Sequence, residues 1–246
     1  HKAAHLDAGK SEIYGNLGLT YSMLGDLDNS YAGFEKAARL NPDDPLITGT
    51  LIYTLNFDEH LPQETIYRRS VDWANRYYPA VQHDQARRLS STDKHVRIGY
   101  VSGDFRTHSC AFFFEPLLRE HDRNRFEIFC YSTVTQPDKT TRRLQSMADH
   151  WRDINGIGLT DLVRQIQQDR IDILIDLSGH TMGNRLDLFA RKPAPIQVSW
   201  LGFPNTTGLQ QIDYRLTDVI ADPPGESDKL HIESLYRLNN GFLCYQ

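Results

Sequence analysis

The sequence predicts an α/β protein with an α-helical repeat region at its start. Three observations carry this. A pattern of aromatic, glycine and small residues of the kind that repeats every 34 residues occupies Tyr14 to Pro42. Past Val96, apolar strand-like runs alternate with amphipathic helical stretches, which favours parallel βαβ units with right-handed crossovers. In that second part the polar and glycine residues collect in the loops that follow strands.

Residues 1–10 are too short to assign beyond a frayed helix end. From Ser11, the residues Tyr14, Leu17, Gly18, Tyr21, Leu24-Gly25-Asp26, Ser30, Phe34, Ala37 and Pro42 form a tetratricopeptide pattern. Gly18, Ser30 and Ala37 let two antiparallel helices approach, and Tyr14, Tyr21 and Phe34 fill the space between them. Pro42 cannot continue a helical ladder and ends the second helix. Leu46, Ile47, Leu51, Ile52 and Leu55 give the next helix an apolar face. Pro62 opens another, with Ile66, Val71, Trp73, Ala74 and Tyr77 on its buried side. The reading is repeats over 1–79, a polar linker over 80–95 and an α/β domain over 96–246.

In that domain, Val96–Ser102 is a strand, followed by the loop Gly103–His108 and an apolar helix from Cys110 to Leu118 whose Phe112, Phe113 and Phe114 read as core. Arg125–Tyr131 is a strand. Asp138–Trp151 and Leu159–Asp169 have helical periodicity. Ile171–Leu177 is a strand, with the loop Ser178–Asn184 behind it and a short helix over Leu186–Ala190. Ile196–Trp200 is a strand leading into Leu201–Gly208, with Trp200 in the core. Ile212–Asp218 reads as a last strand, and Leu235–Gln246 as extended and apolar. In an open parallel sheet, ligands bind outside the carboxyl ends of the strands, so three polar loops should share one edge.

The 246 residues are 39% apolar and 24% charged, with net charge −5. No basic run marks a nucleic-acid surface, and no apolar run reaches membrane-spanning length. Cys110, Cys130 and Cys244 lack disulfide or metal spacing and read as buried free thiols of a reducing compartment, which fits a cytoplasmic protein. Nucleotide-binding glycine fingerprints, the zinc-protease helix motif and the hydrolase elbow are absent.

What remains is His108, Asp176 and His180 on neighbouring loops. His108 stands at a helix N-terminus, where a neutral ring that accepts a hydroxyl proton competes with a simple helix cap. Asp176 ends an apolar strand as either an active-site group or a clamp for loop N–H groups. Thr181, Asn184, Gly202, Pro204, Thr206 and Thr207 surround them as candidate substrate contacts.

Four segments, taken with the repeats, resemble the SPINDLY-like O-linked N-acetylglucosamine transferases. They are Arg97–His108, Asp176–Thr181, Arg191–Gln197 and Trp200–Gly208. The resemblance implies a glycosyltransferase of the GT-B architecture, with two Rossmann-like domains, of which this chain is the repeat-bearing N-terminal half. It implies metal-independent, inverting transfer from a nucleotide sugar, UDP-N-acetylglucosamine first, to serine or threonine of protein acceptors held by the repeats. It places His108 in the cleft as a base or acceptor contact, with Asp176 and His180 in a second cleft motif. Most nucleotide contacts fall to a C-terminal domain absent from this chain, so the chain alone is expected to be inactive. A repeat scaffold without catalysis, or a transferase using GDP-fucose, stays open at this point.

Overall fold

In the computed structural model, residues 9–79 and 95–245 are described, and the chain divides into two compact units at Pro79/Ala80. The expected linker lies, apart from His95, outside the described residues, as do the first eight residues.

The first unit holds α1 (Ser11–Met23), α2 (Leu27–Leu40), α3 (Pro45–Leu55) and α4 (Gln63–Tyr77). Each helix packs on the next. A Cβ on Gly18 would stand 2.9 Å from the Phe34 ring, so only glycine permits this approach of α1 and α2. The Ser30 hydroxyl donates to Gly18 O at 2.7 Å, satisfying a buried hydroxyl at the same crossing. Asp26 and Asp44 cap α2 and α3 by accepting from Asn29 N and Leu46 N. From α4, Trp73 Nε1 donates to Pro45 O and Tyr77 OH to Pro42 O, pinning the turn that enters α3. Phe34, Ile52, Ile66 and Trp73 form the centre of the unit's core.

The second unit is a seven-stranded sheet, parallel throughout, in the order β3-β2-β1-β4-β5-β6-β7. Its strands are β1 (Val96–Ser102), β2 (Phe126–Ser132), β3 (His150–Asp153), β4 (Ile173–Asp176), β5 (Ile196–Ser199), β6 (Tyr214–Thr217) and β7 (Ser234–Arg237). The helices are α5 (Ser109–Glu120), α6 (Lys139–Met147), α7 (Leu159–Gln168) and α8 (Leu186–Phe189), with a 3-10 turn over Ser227–Leu230. Strands β1, β2 and β4 are apolar because both faces are covered, as parallel sheets require. Tyr100, Phe114, Leu118, Ile128 and Leu144 fill one covered face.

The sequence reading needs four corrections. Asp138–Trp151 is not one helix: the chain leaves α6 at Ala148, whose ψ of 145° is extended, and His150–Asp153 pairs with β2 as β3. Trp151 still packs inward, 5.4 Å from Phe105 between ring centroids, so the apolar periodicity was real but continued into a strand. Phe112 is 47% exposed, because α5 buries only the face carrying Ala111, Phe114 and Leu118. Of the thiols, Cys130 is buried, but Cys110 and Cys244 are only half-buried. Finally, β6 is followed by β7, so Ile212–Asp218 does not contain the last strand.

Candidate active site

The strand order reverses about β1: the chain runs outward through β2 and β3, then returns to β4 and continues to β7. The crevice between the carboxyl ends of β1 and β4 is the switch point where such sheets bind ligands. The loop 103–108 leaves β1 there and the loop 177–185 leaves β4 there. The loop 200–213 leaves the adjacent strand β5. The three loops thus share one edge of the sheet.

His108 is the N-cap of α5: its Nδ1 accepts from Cys110 N at 3.3 Å. The same Nδ1 lies 3.7 Å from Asp104 Oδ2. Its side chain is 36% exposed, whereas that of Asp104 is 10% exposed. Asp104 is fixed in turn by its N–H, which donates to Ser102 Oγ at 2.9 Å. The loop is braced at its far end by Asp138, the N-cap of α6, which accepts from Thr107 N at 2.8 Å and from Thr141 N at 2.9 Å. Those two N–H groups hold the Asp138 carboxyl well below the usual carboxylate range. A cavity of about 450 Å³ opens beside this loop, lined by Gly103, Asp104, Arg106, Thr133, Asp138 and Gly183 among others.

Asp176, at the end of β4, is 1% exposed. Its carboxylate accepts from Ser178 N at 3.1 Å and Gly179 N at 2.7 Å, the geometry of a loop clamp. Burial pushes its pKa up to about 6, against the pull of those two N–H groups. His180 is also 1% exposed; its Nε2–H donates to Thr207 O at 2.9 Å, and its ring meets Phe203 edge-on at 5.1 Å. Burial lowers its pKa to about 4, so it stays neutral at ordinary pH. Of the three side chains expected to be catalytic, His108 alone opens to solvent; Asp176 and His180 hold the loops together.

Thr181 and Asn184 are half-buried. Thr181 Oγ1 donates to Ser178 O and Asn184 Nδ2 to Thr181 O, each closing the turn. In the third loop, Pro204 is exposed, but Thr206 and Thr207 are fully buried. Both hydroxyls donate to Glu233 at 2.5 Å, and Thr207 N donates to it at 2.8 Å. Gly202 is there for close approach: a Cβ would lie 2.0 Å from Leu177 O. Gly179, at φ +56°, would likewise drive a Cβ to 2.2 Å from Phe203. Beneath these loops, Arg215 Nη1 donates to Phe203 O at 2.8 Å and lies beside Asp222.

Sequence reasoning missed Asp104, Cys110, Glu233 and Arg215. Asp104 had a legible signal, since it stands four residues before His108 in one loop. Glu233 had none, because its partners lie 26 and 27 positions earlier. Donor atoms of Asp104, His108 and Cys110 lie within 4.8 Å of one another, a grouping the spacing alone did not suggest.

Comparison with known proteins agrees with this architecture. The chain is 38% identical over 219 residues to a probable UDP-N-acetylglucosamine–peptide N-acetylglucosaminyltransferase SPINDLY of Oryza sativa subsp. japonica, covering 86% of this chain and 23% of that protein. It is 40% identical over 130 residues to a UDP-N-acetylglucosamine–peptide N-acetylglucosaminyltransferase of Caenorhabditis elegans, covering 52% of this chain and 11% of the relative. Among solved structures, a mutant O-GlcNAc transferase of Thermobaculum terrenum superposes with a TM-score of 0.91 at 36% identity, covering 98% of this chain and 46% of that one. The chain therefore spans about a quarter of the rice relative and about half of the solved structure. The family described as glycosyl transferase family 41 matches residues 77–244, and the chain belongs to that family.

Proposed function

We propose that this chain forms the acceptor-side part of a protein O-glycosyltransferase that moves N-acetylglucosamine from UDP-N-acetylglucosamine to serine or threonine hydroxyls. The observation that carries this is the position of His108. It is a half-exposed imidazole at the switch-point crevice of a family 41 domain, backed by a nearly buried carboxylate. An attacking hydroxyl must lose its proton as it bonds to the anomeric carbon, and a cleft histidine is suited to take it.

The tautomer decides whether His108 serves. Its outer nitrogen, Nε2, accepts a proton only if Nδ1 already carries one. With Nδ1 protonated, the contact from Cys110 N is lost and the facing acceptor is Asp104 at 3.7 Å. We assign Asp104 the role of holding the Nδ1–H form and offsetting the charge of the imidazolium that forms. Asp176, His180, Gly202, Thr206 and Thr207 position the loops around the crevice, while Thr181, Asn184 and Pro204 stand at their accessible rim. Helices α1–α4, read as tetratricopeptide hairpins, offer the acceptor protein a docking surface. Contacts to the nucleotide come mainly from a domain beyond this chain.

The test is transfer by the full-length protein, given radiolabelled UDP-N-acetylglucosamine or GDP-fucose and a protein lysate. Label from the first donor alone is expected. Label from GDP-fucose alone changes the donor, and label from neither removes the transferase reading.

A further inference from the structure

Three donors of different kinds converge where the β1–α5 loop enters its helix. They are the carboxylate of Asp104, whose side chain is 10% exposed, the His108 imidazole and the Cys110 thiol. All three donor atoms lie within 4.8 Å of one another, and His108 Nδ1 stands 3.7 Å from Asp104 Oδ2. Zinc bond lengths of about 2.0–2.3 Å put tetrahedral ligands roughly 3.3–3.6 Å apart. The Asp104–His108 pair at 3.7 Å is therefore close to coordination spacing, and all three donors stay within 4.8 Å.

The backbone fixes the cluster from both sides. Asp104 N is bonded to Ser102 Oγ at the end of β1, and Cys110 lies in the first turn of α5. One thiolate, one imidazole and one carboxylate match the donor preference of a borderline-soft divalent cation and not that of magnesium or calcium.

We propose that Asp104, His108 and Cys110 form a three-ligand site for a thiophilic divalent cation, zinc in the first place, with the fourth position left to water. Binding breaks the Cys110 S–H bond, releases that proton to solvent and forms a metal–thiolate bond with no redox change. The ion takes the Nδ1 lone pair of His108 in place of the Cys110 backbone N–H that it now accepts, so Nε2 is left as N–H and can no longer accept a proton. The site is thus an inhibitory one. That consequence rests on the role proposed above for His108, whereas the binding itself does not.

The experiment is optical and uses this chain directly. Co2+ is titrated into it, the near-ultraviolet thiolate-to-cobalt charge-transfer band is followed, and circular dichroism reports folding in parallel. The expected result is a band saturating at one ion per chain, lost in Cys110→Ser and in His108→Gln and bleached by zinc. A folded wild-type chain without a band overturns the proposal. So does a band that survives in folded Cys110→Ser, since the thiolate would then belong to Cys130 or Cys244. If transfer activity is absent from the full-length protein while the band is present, the catalytic reading fails and the metal site stands.

Discussion

His108 caps a helix and is proposed as a general base, two roles that mutation can separate. As the N-cap of α5 it accepts one backbone N–H, a contribution of about 1 kcal/mol. As the proposed general base it would contribute a rate factor of about 100 or more. His108→Ala in the full-length protein should therefore lower kcat/KM by about 100-fold or more and shift the urea midpoint only slightly. Asp104→Asn should reduce kcat while leaving KM for the acceptor nearly unchanged. His180 and Asp176 make opposite contributions to stability in acid. The folded-state pKa of His180, about 4, is below its usual 6.5, so its contribution is complete above about pH 6.5 and is lost as pH falls toward 4. Asp176, raised from 3.8 to about 6, contributes stability at low pH that is lost as pH rises through 6. Each pKa unit is worth about 1.4 kcal/mol. Urea midpoints taken across this range should fall less steeply toward acid in His180→Gln and more steeply in Asp176→Asn. His121, which burial also holds at about 4, leaves a residual slope in both variants.

At the scale of elements, the second and third loops are interlocked by absent side chains. Gly202→Ala brings a methyl to 2.0 Å from Leu177 O, where neither backbone can yield cheaply. A loss of about 3 kcal/mol or more is expected in chemical denaturation. Glu233→Gln removes a charged acceptor serving three donors from Thr206 and Thr207. It should cost about 2–3 kcal/mol and loosen the third loop, read as raised amide exchange over 202–208. The loops after strands were legible in the sequence because glycine and polar residues interrupt apolar runs there. The Glu233 anchor of the third loop was not, because Glu233 reaches Thr206 and Thr207 from 27 and 26 positions along the chain. The 138–151 segment misled for a different reason: Leu144, Met147 and Trp151 face the same core from a helix and then from a strand, so one apolar stripe spans a change of backbone period.

For the whole molecule, the reversal of strand order about β1 places His108 and the loop clamp at one crevice. Alternation of strands and helices made the parallel sheet readable from sequence; the strand order was not, since periodicity carries no neighbour information. Central β1 and β4 should show the slowest amide exchange and the half-exposed edge strands β3 and β7 the fastest. The most direct test of the account is the rate of transfer from radiolabelled UDP-N-acetylglucosamine to protein by the full-length enzyme, wild type against His108→Ala, with folding checked on both. A wild-type rate reduced by about 100-fold or more in a variant of near-native stability is the result expected. Equal rates in the two would contradict it and take His108 out of the chemistry.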